Sequence, residues 1–181
     1  MGLFRRWSIL LAVAIGVPAQ AADPDSYAGV MVGIASYDEG GYSFNISTVT
    51  GRLGYQMTRA LAVEARLAAG GSGDSGGASY RLDGLGSVLA KLSWQPFSDS
   101  EAYVHLLLGA TAARTTSSTT GASRSNNLHG GSYGIGIDLF ADRNRALNLE
   151  WIQYLQGDIS GTSPTAKYKL SNFGIGYLQR F

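Results

Sequence analysis

The chain has no cysteine, and only 15% of its 181 residues are charged. Without cysteine there is no disulfide, no thiol nucleophile, no iron–sulfur cluster and no zinc site built on thiolates. A formal net charge of +1 lacks the basic stripe of a nucleic-acid binder, so no nucleic-acid partner is expected. There are two histidines, His105 and His129, and they do not form a pair at metal-ligand spacing, so neither a metal nor a cofactor is expected. Long apolar runs are also missing. Beyond residue 21 the best stretch, 102–113, is about twelve residues with His105 inside it, short of the roughly 20 a spanning helix needs.

What is abundant is glycine, with 25 residues, and tyrosine, with 10, in a chain that is 45% hydrophobic. Glycine is about twice its usual ~7%, without the Gly-X-Y period of collagen. The N-terminus carries Arg5 and Arg6, an apolar run over 7–17, Pro18, and then Ala19, Gln20 and Ala21. This is the pattern of a secretory signal peptide over 1–21, leaving 22–181 as one domain. Its removal takes away two basic groups and no acid, so 14 basic groups become 12 against 13 acidic, a net charge of −1.

The body alternates with period two. Ala28, Val30, Val32 and Ile34 lie on one face with Gly29, Met31 and Gly33 between them, as in a strand with one greasy and one small-residue face. The pattern recurs over 49–57, 61–67, 88–94, 104–110, 133–139, 147–151 and 173–181, making eight segments. Short connections at 58–60, 95–101 and 141–145 alternate with longer polar ones at 38–45, 70–81, 114–130 and 156–167. The expected fold is all-β: an eight-stranded antiparallel up-and-down transmembrane β-barrel in the bacterial outer membrane, with both termini at the short-turn, periplasmic end.

Charge parity supports this. With each register set from apolar residues alone, Arg52, Glu64, Arg66, Asp83, Lys91, Asp138, Glu150 and Arg180 fall on the opposite, inward face. In water an outward charge costs little, whereas an outward Arg or Lys near the bilayer midplane costs roughly 2–4 kcal/mol. Four basic and four acidic groups inside so narrow a barrel predict a mutually paired, neutral plug rather than a pore. Inward glycines at 29, 33, 54, 134, 136, 174 and 176 leave room for the long side chains. Tyr55, Trp94, Tyr177 and Phe181 face outward near the short turns and Tyr133 near the other rim, as expected for headgroup-level aromatic belts.

The strand texture of GRLGY (51–55), LAVEAR (61–66) and YGIGID (133–138), with the terminal GIGYLQRF (174–181), resembles that of small outer-membrane barrels typified by the OmpA transmembrane domain and the OmpX/Ail proteins. The resemblance covers the whole mature chain and implies a fold rather than an activity. The terminal aromatic Phe181 resembles the signal read by the barrel-assembly machinery, although Gln179 departs from the hydrophobic residue often found two positions earlier. Nothing follows Phe181 to carry the cell-wall tethering of full-length OmpA, and a barrel alone is expected.

Chemistry is sparse. Inward-pointing His105 reads as structural. His129 and Ser132 are near neighbours, of opposite parity if one strand includes both; a flexible loop could still bring them together, which keeps a lipid-A-modifying hydrolase, resembling the lipid A deacylases of this size class, as the alternative, and a narrow small-solute channel is a third reading. The glycine clusters at 84, 134 and 174 lie inside strands and do not open a nucleotide-binding helix. At the outer rim Arg114, Lys167 and Lys169 have outward parity and are candidates for pairing with lipopolysaccharide phosphates. The segment 114–127, with Arg124, has the composition of a mobile loop and is the candidate for contacting an external surface ligand. The expected function is non-catalytic: a monomer that stabilises the envelope through outer-membrane lipids and lipopolysaccharide, or that adheres through its extracellular loops.

Overall fold

The computed structural model describes residues 26–39, 42–75, 77–97, 100–119, 122–159 and 166–181. The expected signal peptide, 1–21, lies outside them. Nine strands follow in order: β1 Ser26–Glu39, β2 Tyr42–Gln56, β3 Leu61–Gly70, β4 Ser72–Ser75, β5 Ala78–Trp94, β6 Ala102–Thr119, β7 Ala122–Phe140, β8 Arg145–Ile159 and β9 Ala166–Arg180. Among the described residues there is no helix. Strands β3 and β4 are two parts of one stave on either side of Gly71, and both pair with β5. The Gly71 amide still donates to Ser47 O at 2.8 Å, so the wall continues across the joint. Pairing of β1 with both β2 and β9, and of β3 with β5, closes eight antiparallel staves into a barrel. Closure leaves no sheet edge to solvate in lipid.

The alternation read from the sequence sets the two faces. Val30, Val32 and Ile34 are exposed while Met31, Ala35 and Tyr37 are buried. The exposed row Val49, Leu53 and Tyr55 of β2, continued by Met57 just past its end, covers about nine residues, close to the length that crosses a bilayer as a tilted strand. Every other stave except β6's upper half carries a similar row, including Val63, Leu67, Val88, Ile135, Leu149 and Ile175. In water, leaving each such side chain uncovered would forgo about 1.5–3 kcal/mol of burial, so the wall demands an apolar solvent.

The short turns are locally determined. Thr58 Oγ1 accepts hydrogen bonds from the Ala60 and Leu61 amides at 3.3 and 3.0 Å. Asp142 Oδ1 accepts from the Asn144 and Arg145 amides, both at 2.8 Å. Asp and Thr favour such turns because their side chains satisfy nearby backbone amides.

Two expectations are corrected at the opposite end. The polar segments read as long loops are largely strand. In particular, β6 and β7 stay paired from Arg114↔Asn127 to Thr119↔Ala122. Thr116 with Ser125 at 3.0 Å and Ser118 with Ser123 at 3.2 Å link hydroxyls across this hairpin. Threonine's branched side chain suits a pleated surface even when it is polar, so the composition of 114–127 did not signal disorder. The second correction is a bulge between Leu82 and Gly84, which resets parity at Asp83.

Candidate functional site

The lumen is sealed in three layers. At the short-turn end Tyr27, Ala62, Phe140, Ala146 and Leu178 are buried together, with Tyr103 packed against them. Above them lies an ionic layer. Arg66 forks onto Glu150, with Nη2 to Oε2 at 2.8 Å and a second contact from Nη1 to Oε1, and also reaches Glu64 through Nε. Lys91 Nζ meets Asp138 Oδ2 at 2.5 Å, and Asn148 Nδ2 donates to Asp138 Oδ1 at 2.7 Å. Tyr27 donates its hydroxyl to Glu64 Oε2 at 2.6 Å. His105 sits between the two acidic groups, with Nδ1 3.6 Å from Asp138 and Nε2 3.4 Å from Glu150. Arg52 Nη1 lies 3.7 Å from Glu150 Oε2, close enough to neutralise charge but too far for a hydrogen bond. The third layer is an apolar plug in the half away from the short turns. Phe44, Ile46, Leu82, Leu85, Leu89, Leu107, Leu128, Ile152 and Leu155 all belong to one buried cluster.

Glycine makes this filling possible. The inward side of Gly54 lies under the Tyr27 ring, and that of Gly136 lies under His105, so a Cβ at either position would collide with the ring. Both large residues stand opposite their glycine in the register, Tyr27↔Gly54 and His105↔Gly136. The void beside Ala35, Thr48, Thr50, Leu82, Tyr154 and Asn172 has no room for a water molecule.

Of the charges expected inside, Arg52, Glu64, Arg66, Lys91, Asp138 and Glu150 are buried. Arg180 is half-buried, with its guanidinium carbon 4.1 Å from the Phe140 ring centroid, at the mouth rather than within the ionic layer. The expectation for Asp83 fails: the bulge turns its carboxylate to the outer face, where Arg81 Nε donates to Oδ1 at 2.6 Å and Thr116 Oγ1 to Oδ2 at 2.5 Å. Three cations and three carboxylates remain in the buried layer, so it still balances. Sequence reasoning missed Tyr27, whose parity with Gly29 already pointed it inward. It also missed the plug, because consecutive apolar residues on β6, as at Leu106, Leu107 and Leu108, do not by alternation distinguish a lumen-facing side chain from the lipid-facing ones beside it.

At the outer rim Arg114 is exposed on β6, opposite Gly84 and Asn127. Lys167 and Lys169 are exposed on β9, opposite Asp158 and Asp38 respectively. With β7 and β8 intervening, these cations do not converge. Arg114 instead joins Arg81, a residue the sequence did not single out, around Asp83. Desolvation is the largest single influence and raises the Asp83 carboxyl, but hydrogen bonds from Thr116 and Arg81 and the charges of Arg81 and Arg114 together outweigh it and hold the group below the ordinary aspartate value. Arg124 is exposed near the hairpin tip, opposite Ser117. Here the β7 ladder has a partner on one side only: among the described residues it pairs with β8 from Tyr133↔Gln153 to Phe140↔Ala146, and over 122–132 its backbone ladder is with β6 alone, although His129 O accepts from the Tyr168 hydroxyl at 3.2 Å. Ser132 is buried and hydrogen-bonded to Thr111 at 2.6 Å and Tyr154 O at 2.8 Å, whereas His129 is exposed. The two point to opposite faces of β7.

A family model described as outer membrane protein beta-barrel domain matches residues 8–181. No curated protein sequence is similar enough to count as a match. Among solved structures, Neisserial surface protein A is similar with a TM-score of 0.70 and 12% identity, covering 87% of this chain and 97% of that one. OprG of Pseudomonas aeruginosa is similar with a TM-score of 0.60 and 12% identity, covering 87% and 96%. Ail, the attachment invasion locus protein of Yersinia pestis, in complex with the heparin analogue sucrose octasulfate, is similar with a TM-score of 0.52 and 16% identity, covering 85% and 99%. At these identities the likeness is one of fold.

Proposed function

From the premise that this chain is a bacterial outer-membrane protein belonging to the outer membrane protein beta-barrel domain family, we propose that it works from its extracellular rim as a non-catalytic envelope and attachment protein. The observation that carries this reading is the contrast between a sealed lumen and a projecting β6–β7 hairpin whose β7 edge over 122–132 has no partner strand among the described residues. A filled interior supports neither bulk transport nor a narrow channel. The unpaired edge and the exposed Arg81, Arg114 and Arg124 face outward, where a ligand can reach them.

Arg81 and Arg114, with Lys167 and Lys169 on the far side, supply cations just above the apolar wall for lipopolysaccharide phosphates. The guanidinium groups are the stronger partners because their planar fork matches a phosphate's oxygens. The heparin analogue held by Ail is also a polyanion, and the arginines around the hairpin are the corresponding chemistry here. Phe181, whose amide donates to Ser26 O at 2.9 Å, is the proposed assembly signal, and the protein is a monomer that needs no partner chain to close its wall.

The test is binding of lipopolysaccharide and of heparin to the protein in vesicles, for the native chain, for R81Q/R114Q, and for a chain lacking 116–125. R81Q/R114Q is expected to weaken lipopolysaccharide binding several-fold and to flatten its salt dependence. The shortened hairpin is expected to lose polyanion or cell attachment while its lipid anchoring remains. Unchanged binding by both would refute the rim reading.

A further inference from the structure

We infer that the third periplasmic turn is a headgroup site for an anionic glycerophospholipid. This rests on the membrane location alone and not on the rim reading above. The outward row of β7, β8 and β9 ends with Leu139, Leu147 and Tyr177, which stand side by side in the register and are all exposed. One step below along the strands come Arg145 and Gln179, again opposite one another. They and the turn residues Asp142, Arg143 and Asn144 line an open concavity of about 330 Å³. It therefore sits where the apolar wall ends and phospholipid headgroups begin.

The walls are already built. Tyr177 donates its hydroxyl to Gln179 Oε1 at 2.9 Å, and Gln179 Nε2 donates to Arg180 O at 3.0 Å. Asp142 spends Oδ1 on two backbone amides, and its Oδ2 lies 3.8 Å from Arg145 Nε, leaving that arginine mostly exposed. Among the described residues Arg143 has no acid within ion-pair distance. Two guanidinium groups thus face one committed carboxylate, and a singly charged phosphodiester would make the site neutral. Its acyl chains would run up the row of Leu147 and Tyr177, so the geometry fits a lipid better than a free anion.

Among the described residues the other short turns lack this combination. The turn at 57–60 has Arg59 alone, and the segment at 95–97 offers Gln95, Pro96 and the exposed Phe97.

The test uses the full chain in phosphatidylcholine vesicles carrying a trace of spin-labelled phosphatidylglycerol or spin-labelled phosphatidylcholine, reading the motionally restricted lipid by electron paramagnetic resonance. The native protein is expected to prefer phosphatidylglycerol by about five-fold. R143Q/R145Q should bring that preference close to one, and R59Q should leave it unchanged. Heat-modifiable migration checks that each variant folds, and R143Q and R145Q singly replace the double variant if it does not. A preference that survives the double variant, or falls equally in R59Q, overturns the site in favour of diffuse rim charge. Inorganic phosphate is titrated separately against the protein in an uncharged detergent, with the arginine Nε–H signals as the readout. Saturation by phosphate alone, with shifts matching those from phosphatidylglycerol, would make this a free-anion site and overturn the lipid assignment.

Discussion

The ionic layer and the apolar plug close the same cylinder by opposite means. Around Glu150 the groups share partners: Arg66, Arg52 and His105 all approach one carboxylate, and Arg66 is also bound to Glu64. Around Ile152 and Leu107 closure comes from many small contacts among side chains with no directional demand. Loss of one member therefore strands several others in the first region, while in the second it removes only its own volume. The contrast explains why a narrow barrel keeps its charges together in one layer, away from the plug: a buried charge is tolerable only when it is paired.

The strongest way to break the comparison is Glu150→Ala, which leaves Arg66 and Arg52 without their shared carboxylate in a fully buried setting. A loss of about 3–5 kcal/mol is expected, measured by urea unfolding of the barrel in vesicles. A cost below that of a single plug methyl would show that water reaches the layer and that the two regions do not differ. In the plug, Ile152→Val removes one methyl from a side chain packed against Gly134. About 0.5–1.5 kcal/mol is expected, by the same measurement.

The smallest effect is at the outer rim, where Asp83 is charged and paired but lies outside the lumen. A carboxyl held below its unfolded value stabilises its surroundings above that value and loses the contribution as pH falls through its folded one. The Arg81 Nε–H signal should therefore move with a midpoint more acid than that of an ordinary aspartate. Global stability should hardly follow it, because Asp83 is mostly outside the buried structure. Movement near pH 5 would show that Thr116 and Arg81 do not hold the carboxylate.

Much of this was legible along the chain. Eight apolar rows, their inward counterparts and the small residues facing them follow from alternation, and the inward positions of Glu64 with Arg66 follow from parity within one strand. What misled the reading was local. A single extra residue between Leu82 and Gly84 inverted Asp83, and no turn residue announced it. The Ser- and Thr-rich stretch over 114–130 looked like a loop because composition reports polarity and not pairing. The convergence of Arg114 with Arg81, and its separation from Lys167 and Lys169, depends on strand order around the barrel, which polarity does not encode. The periplasmic concavity likewise joins a turn at 142–145 to Gln179 across a register that only pairing supplies.

Apart from the bulge at Asp83, sequence alone determined which strand side chains face lipid and which face the lumen, because successive residues of a regular extended chain point to opposite sides whatever strand lies beside them. The tertiary structure decided who meets whom. Arg66 and Glu150 are 84 positions apart, and their encounter requires the sheet to curl until its first and last strands join, which brings opposite walls within reach of one another across a lumen that glycine has made narrow enough to fill.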